Sequence, residues 1–459
     1  MKQHIPADAI HAFLNRVETH EINMHGFILL RHGETVCEGY WPPFSKEKMH
    51  RMYSAGKSIT ALGIGILQKQ GKLSIYDRIV DYFPEYVTAD TDPRIVRMTI
   101  RDMLRMASCH YATTYKKAED SDWTRTFFTV APSHEPGALF SYDTSATHTL
   151  SALIEKLAGM SLLEFMTREL FDKIGAMGEK SWLTDPVGVC QGGSGLMMTL
   201  PDLARVAQLV LEEGRGIVPA EFIREATGKQ IDTVMQAQPE ERYGYGYQFW
   251  RVRNGAFAMY GMGGQLAIIV PSEQLVFCTM ADTRIDPAGV QKIHDAFWEE
   301  IMARLDEPET QKAADTIRER LASLKSVPVA NAYNPWEDVH GKDFLFPENP
   351  MGLIKLRLEQ NSLIIVNGKG AFTLPLALGS WAEGVFPNTD RPCRISAGWA
   401  EESLLHIVCR ILGEDPCSVE ILLSFTPGSV SVQMKRVPEP FTDGWEGFAA
   451  GYVRQEAVK

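Results

Sequence analysis

Ser54 and Lys57 stand three residues apart at the head of an apolar stretch running from Ile59 to Leu67. On a helix that spacing puts both side chains on one face, where hydroxyl and amine can touch. The first turn also offers unpaired backbone N–H groups and the positive end of the helix dipole. An ammonium buried there is disfavoured by desolvation and by the dipole, so the spacing predicts a lysine with a lowered pKa. A neutral amine can take the proton of the serine and turn a weak hydroxyl into a nucleophile. A second Ser-x-x-Lys, Ser45 to Lys48, follows Pro42-Pro43 in a charged segment with no apolar run behind it and reads as solvated surface. The plain alternative for Ser54 is a helix N-cap with an unrelated lysine beyond it.

A serine–lysine pair needs a second proton carrier and donors for the developing oxyanion. Tyr142 is the candidate carrier, because a phenol near ammonium groups can have its pKa lowered. Met262-Gly263-Gly264-Gln265 opens an apolar strand, and its glycines allow backbone N–H groups to approach a substrate closely. His110, His134 and His148 could serve as a triad base, but none sits in a motif that supports it. No His, Cys or carboxylate cluster has metal-ligand spacing, so no cofactor and no metal are expected.

The elements that must position these residues are legible in outline. Residues 8–20 read as an amphipathic helix and Phe27 to Tyr40 as a hairpin around His32-Gly33-Glu34. The Ser54 helix ends at Gly71. Further helices are expected at 100–106, from Ser145 to about Leu157, at 200–214 and at 290–305. Gly192-Gly-Ser-Gly195 lacks the spacing of a phosphate loop and reads as a backbone turn. Tyr243 to Trp250 alternates like a strand, and strands are expected at 256–260, 266–270 and 275–280. Strands at both ends of a helical middle imply an α+β core whose sheet is built from both ends. Residues 306–326 are polar and helix-favouring and read as a linker helix. From 327 to 459 short alternating runs and turns predict a small all-β sandwich or barrel. The domain reading is therefore 1–305, 306–326 and 327–459.

Composition narrows the function classes. The chain has 459 residues, 45% hydrophobic and 23% charged, with a net charge of −12. That charge argues against general binding to nucleic acid or an anionic membrane. The N-terminus lacks the apolar core of a signal peptide and no run is long enough to span a membrane. Seven scattered cysteines without Cys-x-x-Cys suit reduced thiols and a cytoplasmic location, unless a leader has been removed.

The ordered set Tyr53-Ser-Ala-Gly-Lys57, Pro136-Gly-Ala-Leu-Phe-Ser-Tyr142, Ser194-Gly-Leu-Met-Met-Thr-Leu-Pro-Asp-Leu203, Tyr243-Gly-Tyr-Gly-Tyr-Gln248 and Gly261-Met-Gly-Gly-Gln265 resembles the serine beta-lactamase and penicillin-binding-protein superfamily. The nearest branch is the class C-like one of esterases, D-aminopeptidases and 6-aminohexanoate-dimer hydrolases. The resemblance spans roughly residues 20–305. It implies a beta-lactamase/transpeptidase-like fold: an antiparallel sheet flanked by helices, with an all-helical region. It further implies that Ser54 is acylated, that Lys57 is the base, that Tyr142 activates nucleophile and water, and that the backbone N–H groups of Ser54 and Gln265 form the oxyanion hole. Thr144, Met262, Gly263 and Gly264 then line the substrate site.

Two positions depart from that pattern. Thr144 stands where the family has Asn, offering one hydroxyl in place of an amide. Met262 stands where a Lys or His opens the third motif, and a thioether cannot greet a carboxylate. The expectation is a serine hydrolase cleaving an ester or amide of a small, less anionic substrate. The alternatives are a non-catalytic binding or regulatory protein on this scaffold, or a true beta-lactamase or D,D-peptidase. A homo-oligomer stays open.

Overall fold

The computed structural model describes residues 4–335 and 338–453. They form two compact units: one of residues up to 283 together with 288–325, the other of 284–287 and 326 onward.

The first unit is organised on a six-stranded antiparallel sheet. Its strands are β1 (Met24–Arg31), β2 (Glu34–Tyr40), β3 (Trp250–Arg251), β4 (Phe257–Gly261), β5 (Gln265–Val270) and β6 (Leu275–Ala281). They lie in the order β2-β1-β6-β5-β4-β3, so chain segments from both ends meet at the β1–β6 pairing. The central strands β1, β5 and β6 are buried at every position. They are covered on both faces, which is why they carry continuous apolar runs rather than alternation.

One face carries α1 (Ala7–Thr19), whose Phe13 meets Phe27 at 5.3 Å and Phe277 at 5.6 Å. The other faces the helical region, which contains α2 (Ala55–Lys69), α3 (Thr144–Ala158) and α4 (Leu200–Leu211). α2 is buried continuously from Ala55 to Leu67, as a helix with apolar residues on all sides should be. Glycines at its contact points allow the close packing: a Cβ at Gly65 would lie 2.7 Å from Phe222. No helix among the described residues is long and apolar enough to cross a membrane.

Three expectations differ from the structure. The alternating stretch 243–250 is not a strand beyond Trp250. Gly246 runs so close to residue 226 that a Cβ there would lie 1.9 Å from the Ala226 carbonyl, and this backbone crossing breaks the ladder. The helix expected at 290–305 is α5 (Gly289–Ala296) followed by a wider π turn, Phe297–Met302. The polar segment 306–326 is not a free linker. Its helix, α6 (Gln311–Ala322), belongs to the first unit. Arg320 pairs with Glu18 of α1 at 2.6 Å, and Leu321 and Leu324 pack over Gly39.

The second unit is one ten-stranded antiparallel sheet. Its end strands, Gly370–Pro375 and Ala382–Val385, come together: a Cβ at Gly384 would lie 3.0 Å from Pro375. The sheet thus curls into a barrel-like domain around a core that includes Leu356, Ile395, Ile407, Ile421 and Val432.

Candidate active site

Ser54 sits at the head of α2, after a turn in which Tyr53 takes the left-handed conformation at φ 45°. Its side chain makes no capping hydrogen bond, so the hydroxyl is not used to close the helix. Instead Lys57, one turn on, donates to Ser54 Oγ at 3.1 Å. Lys57 is 1% exposed, and its ammonium form loses hydration on burial. That desolvation lowers its pKa to about 7, against a smaller upward pull from the Asp143 carboxylate.

Two further acceptors hold the amine. The Gly193 carbonyl accepts at 2.6 Å and Thr144 Oγ1 at 3.2 Å. Thr144 therefore serves the lysine directly from the first turn of α3. Gly193, taken from the sequence as a mere turn, is a site residue that sequence reasoning missed. A Cβ there would lie 2.6 Å from Thr144 Cγ2 and 3.3 Å from Lys57 Nζ, so only glycine lets the carbonyl reach the amine. The run of glycines was the available signal. The same loop is fixed by Thr60 Oγ1, which donates to the Gly192 carbonyl at 2.9 Å, and by Arg51, which donates to the Ser194 carbonyl at 3.1 Å.

Tyr142 precedes α3. Its loop is tied down where the Ser141 N–H donates to the Met106 carbonyl at 2.8 Å. Asp143 caps the helix, accepting from the Ser145 N–H at 2.9 Å and from the Ser108 hydroxyl at 3.0 Å. The Tyr142 phenol lies beside Ser54, which pulls its pKa down, and the Lys57 amine lies 5.1 Å from its ring centroid. Its pKa is raised, not lowered as the sequence suggested. Burial of the phenolate outweighs the influence of Ser54, and the Glu241 carboxylate adds to the upward push. Tyr142 is thus a neutral phenol. Asp143, completely buried, has its carboxyl pushed up to about 6 by desolvation.

The β4–β5 turn approaches from the other side. A Cβ at Gly261 would lie 2.2 Å from the Met52 carbonyl and 3.1 Å from the Ala55 N–H, so this glycine brings the strand end against the Ser54 turn. Gln265 lies opposite it on β5. The Gln265 side chain is buried and donates to the carbonyls of Met262 at 3.0 Å and Ala281 at 2.8 Å. Gly263 and Gly264 both have positive φ, and the Gly263 carbonyl accepts from the Thr283 N–H at 3.1 Å. Met262, half-exposed, sits at the tip. The structure therefore gathers Ser54, Lys57 and Thr144 into one hydrogen-bonded group, with the Tyr142 ring against the lysine amine. Gln265 stabilises the turn beside it with its side chain.

The three histidines are committed elsewhere. His110 bonds the Phe127 carbonyl at 2.9 Å, His148 pairs with Asp185 at 3.1 Å, and His134 meets Ser133 at 2.8 Å. Among the described residues, no three His, Cys, Asp or Glu side chains are grouped to hold a metal.

A sheet built from both chain ends, packed on a helix that opens with a serine and a buried lysine, defines a penicillin-binding-protein-like hydrolase fold. The Beta-lactamase family model matches residues 13–296, and the chain belongs to that family. It is 23% identical over 203 residues to the 6-aminohexanoate-dimer hydrolase of Paenarthrobacter ureafaciens, covering 41% of this chain. The chain spans about half, 52%, of that curated relative. Among solved structures it is similar to the octameric penicillin-binding protein homologue from Pyrococcus abyssi. That match has a TM-score of 0.53 and 16% identity, over 96% of this chain and 99% of the other. It is also similar to EstCE1, a hydrolase with promiscuous acyltransferase activity. Here the TM-score is 0.52 and the identity 15%, over 63% of this chain and 99% of the other. At these identities the structural matches establish the fold.

Proposed function

We propose that the protein is a serine hydrolase that forms an acyl-enzyme at Ser54 and cleaves an ester or amide of a small substrate. The observation that carries the reading is Lys57 Nζ, 3.1 Å from Ser54 Oγ, with a pKa lowered to about 7 by burial. An amine with that pKa is half neutral near physiological pH, which suits a general base. Neutral Lys57 takes the Ser54 proton as Oγ attacks the substrate carbonyl carbon. The tetrahedral adduct collapses, and Tyr142, a neutral phenol beside Ser54, passes a proton to the leaving group. The Tyr142 phenolate then takes a proton from water as the oxygen attacks the acyl carbon, and the Lys57 ammonium returns its proton to Ser54 Oγ as the acyl group leaves. Backbone N–H groups at Ser54 and Gln265 stabilise the oxyanion in this reading. Thr144, Met262, Gly263 and Gly264 line the substrate.

Met262 brings no positive charge to the position where a drug carboxylate would bind, so nitrocefin turnover is expected to be slow. Labelling with a fluorophosphonate and mass mapping tests the nucleophile. The expected result is modification at Ser54, and a p-nitrophenyl ester rate that drops by about a thousandfold or more in Ser54→Ala. Labelling elsewhere, or equal turnover in the variant, overturns the reading and favours an inert binding scaffold.

The similarity to an octameric homologue supports homo-oligomerisation of this chain as a companion proposal. Light scattering on the eluting protein tests it, and a monomer would refute it.

A further inference from the structure

Gln248 closes the run Tyr243-Gly-Tyr-Gly-Tyr-Gln and takes no direct part in the proposed chemistry. It is 2% exposed and stands in the left-handed region at φ 63°. A residue with a side chain adopts that conformation at a cost that glycine escapes. The same run supplies glycine where the backbone alone matters, with φ 108° at Gly244. A glutamine held at φ 63° therefore directs attention to its side chain.

Every polar group of Gln248 is engaged. Its N–H donates to the Leu104 carbonyl at 3.0 Å. Its Nε2 donates to the carbonyls of Met103 at 3.1 Å and Leu104 at 2.8 Å. Its Oε1 accepts from the Thr147 hydroxyl at 2.7 Å, and its backbone carbonyl accepts from the Ser58 hydroxyl. Carbonyls only accept, so the amide has one workable orientation, with Nε2 toward Met103 and Leu104 and Oε1 toward Thr147. All four partner residues are buried. Removing the amide would leave the Thr147 hydroxyl and the Met103 carbonyl without this partner away from water, which is costly.

These partners lie on the three segments that carry the site. Ser58 follows Lys57 on α2. Thr147 stands three residues past Thr144 on α3, on the same helix face. Met103 and Leu104 end the short helix Ile100–Leu104, and Met106, just beyond it, holds the Tyr142 loop. The Met106 carbonyl accepts from the Ser141 N–H at 2.8 Å, and its Sδ accepts from the Asp143 N–H at 3.4 Å. The bond from Lys57 to Thr144, 3.2 Å long, spans the same two helices that Gln248 bridges.

We propose that Gln248 is a positioning residue for the reaction: through Ser58, Thr147 and the end of the helix Ile100–Leu104 it sets Lys57, Thr144 and Tyr142 at their working separations. The effect on rate rests on the acyl-enzyme reading; the geometric role can be measured without turnover.

The first measurement is the rate constant of fluorophosphonate labelling at Ser54. It reports folded molecules only, so a loss of stability alone lowers the labelled fraction and leaves the constant as it was. Gln248→Met keeps the length of the side chain and removes the amide. It is expected to lower the constant by about tenfold or more. Thr147→Val keeps the shape and removes the hydroxyl; it should lower the constant less, and it serves if the methionine variant does not fold. Thr147→Ser, which returns the hydroxyl without the methyl, should recover most of that loss. The double variant should be no slower than Gln248→Met alone, because both changes break the same bond.

The second measurement is the titration of Lys57, read from its Cε resonance. The titratable groups around that amine, Asp143, Tyr142 and Lys116, are the same in all of these variants. Its midpoint, about 7 in the parent, should rise in Gln248→Met, because a loosened contact between α2 and α3 readmits water to the amine. An unchanged labelling constant with an unchanged midpoint, or a Thr147→Ser protein as slow as Thr147→Val, overturns the proposal. No labelling of Ser54 in the parent, with a Lys57 midpoint that still rises in Gln248→Met, sinks the acyl-enzyme reading and supports the positioning role.

Discussion

A lysine with an ordinary pKa would be protonated at neutral pH and could accept nothing from Ser54. Burial at 1% exposure is what changes this, lowering the pKa to about 7. In the proposed mechanism the neutral amine is the base, and its fraction grows as pH rises. The rate of Ser54 labelling by a fluorophosphonate should therefore rise through about pH 7 and level off above it. Lys57→Arg, whose guanidinium stays protonated, should lose the step and most of the rate. A profile without an ionisation near 7 would remove Lys57 as the base. The Asp143 carboxylate supplies the main upward influence on Lys57. Asp143→Asn keeps a helix-capping side chain but deletes that charge. Its labelling profile should keep its shape and move its midpoint to lower pH. A midpoint that stays in place, or moves up, would mean that Asp143 only caps α3.

The elements deliver these residues through close backbone approaches, and this is where legibility in the sequence ends. The apolar run from Ile59 to Leu67 made α2 readable, because a helix buried on every side needs nothing else. The strands of the sheet were readable for the same reason. Gly193 was not, because a carbonyl that accepts from Lys57 leaves no side-chain signature. The stretch 243–250 misled because alternation reports burial, and Tyr245, Tyr247 and Phe249 are buried by a backbone crossing at Gly246 rather than by strand pairing. The upward shift of Tyr142 was invisible too, since it depends on how deeply the loop before α3 is packed. Gly261 offers the test at this scale. Gly261→Ala would put a Cβ 2.2 Å from the Met52 carbonyl, so the strand end or the Ser54 turn must move. A displacement of about 1 Å at a nucleophile can cost on the order of a hundredfold in rate. The expected result is a labelling rate reduced by about that factor while circular dichroism keeps its native shape. An unchanged rate would show that the approach of β4 does not hold Ser54 in position.

At the scale of the whole molecule, the proposed catalytic group lies entirely within one unit. Ser54, Lys57, Tyr142, Thr144 and Gly193 all belong to the residues that pack around the six-stranded sheet. The barrel-like unit has its own closed hydrophobic core, which shares no residue with the cores of the first. Units with separate cores can unfold separately, and a ligand stabilises only the unit that binds it. A boronic acid that adds reversibly to Ser54 should therefore act selectively in scanning calorimetry. At a hundred times its Kd it contributes about 2.7 kcal/mol to the binding unit, which corresponds to a rise of a few °C in Tm for a domain of this size. Two transitions are expected, with one rising and the other fixed, and Ser54→Ala should abolish the rise. If both transitions rise together, folding of the barrel is coupled to the site, and the C-terminal unit then belongs to the functional machinery rather than beside it.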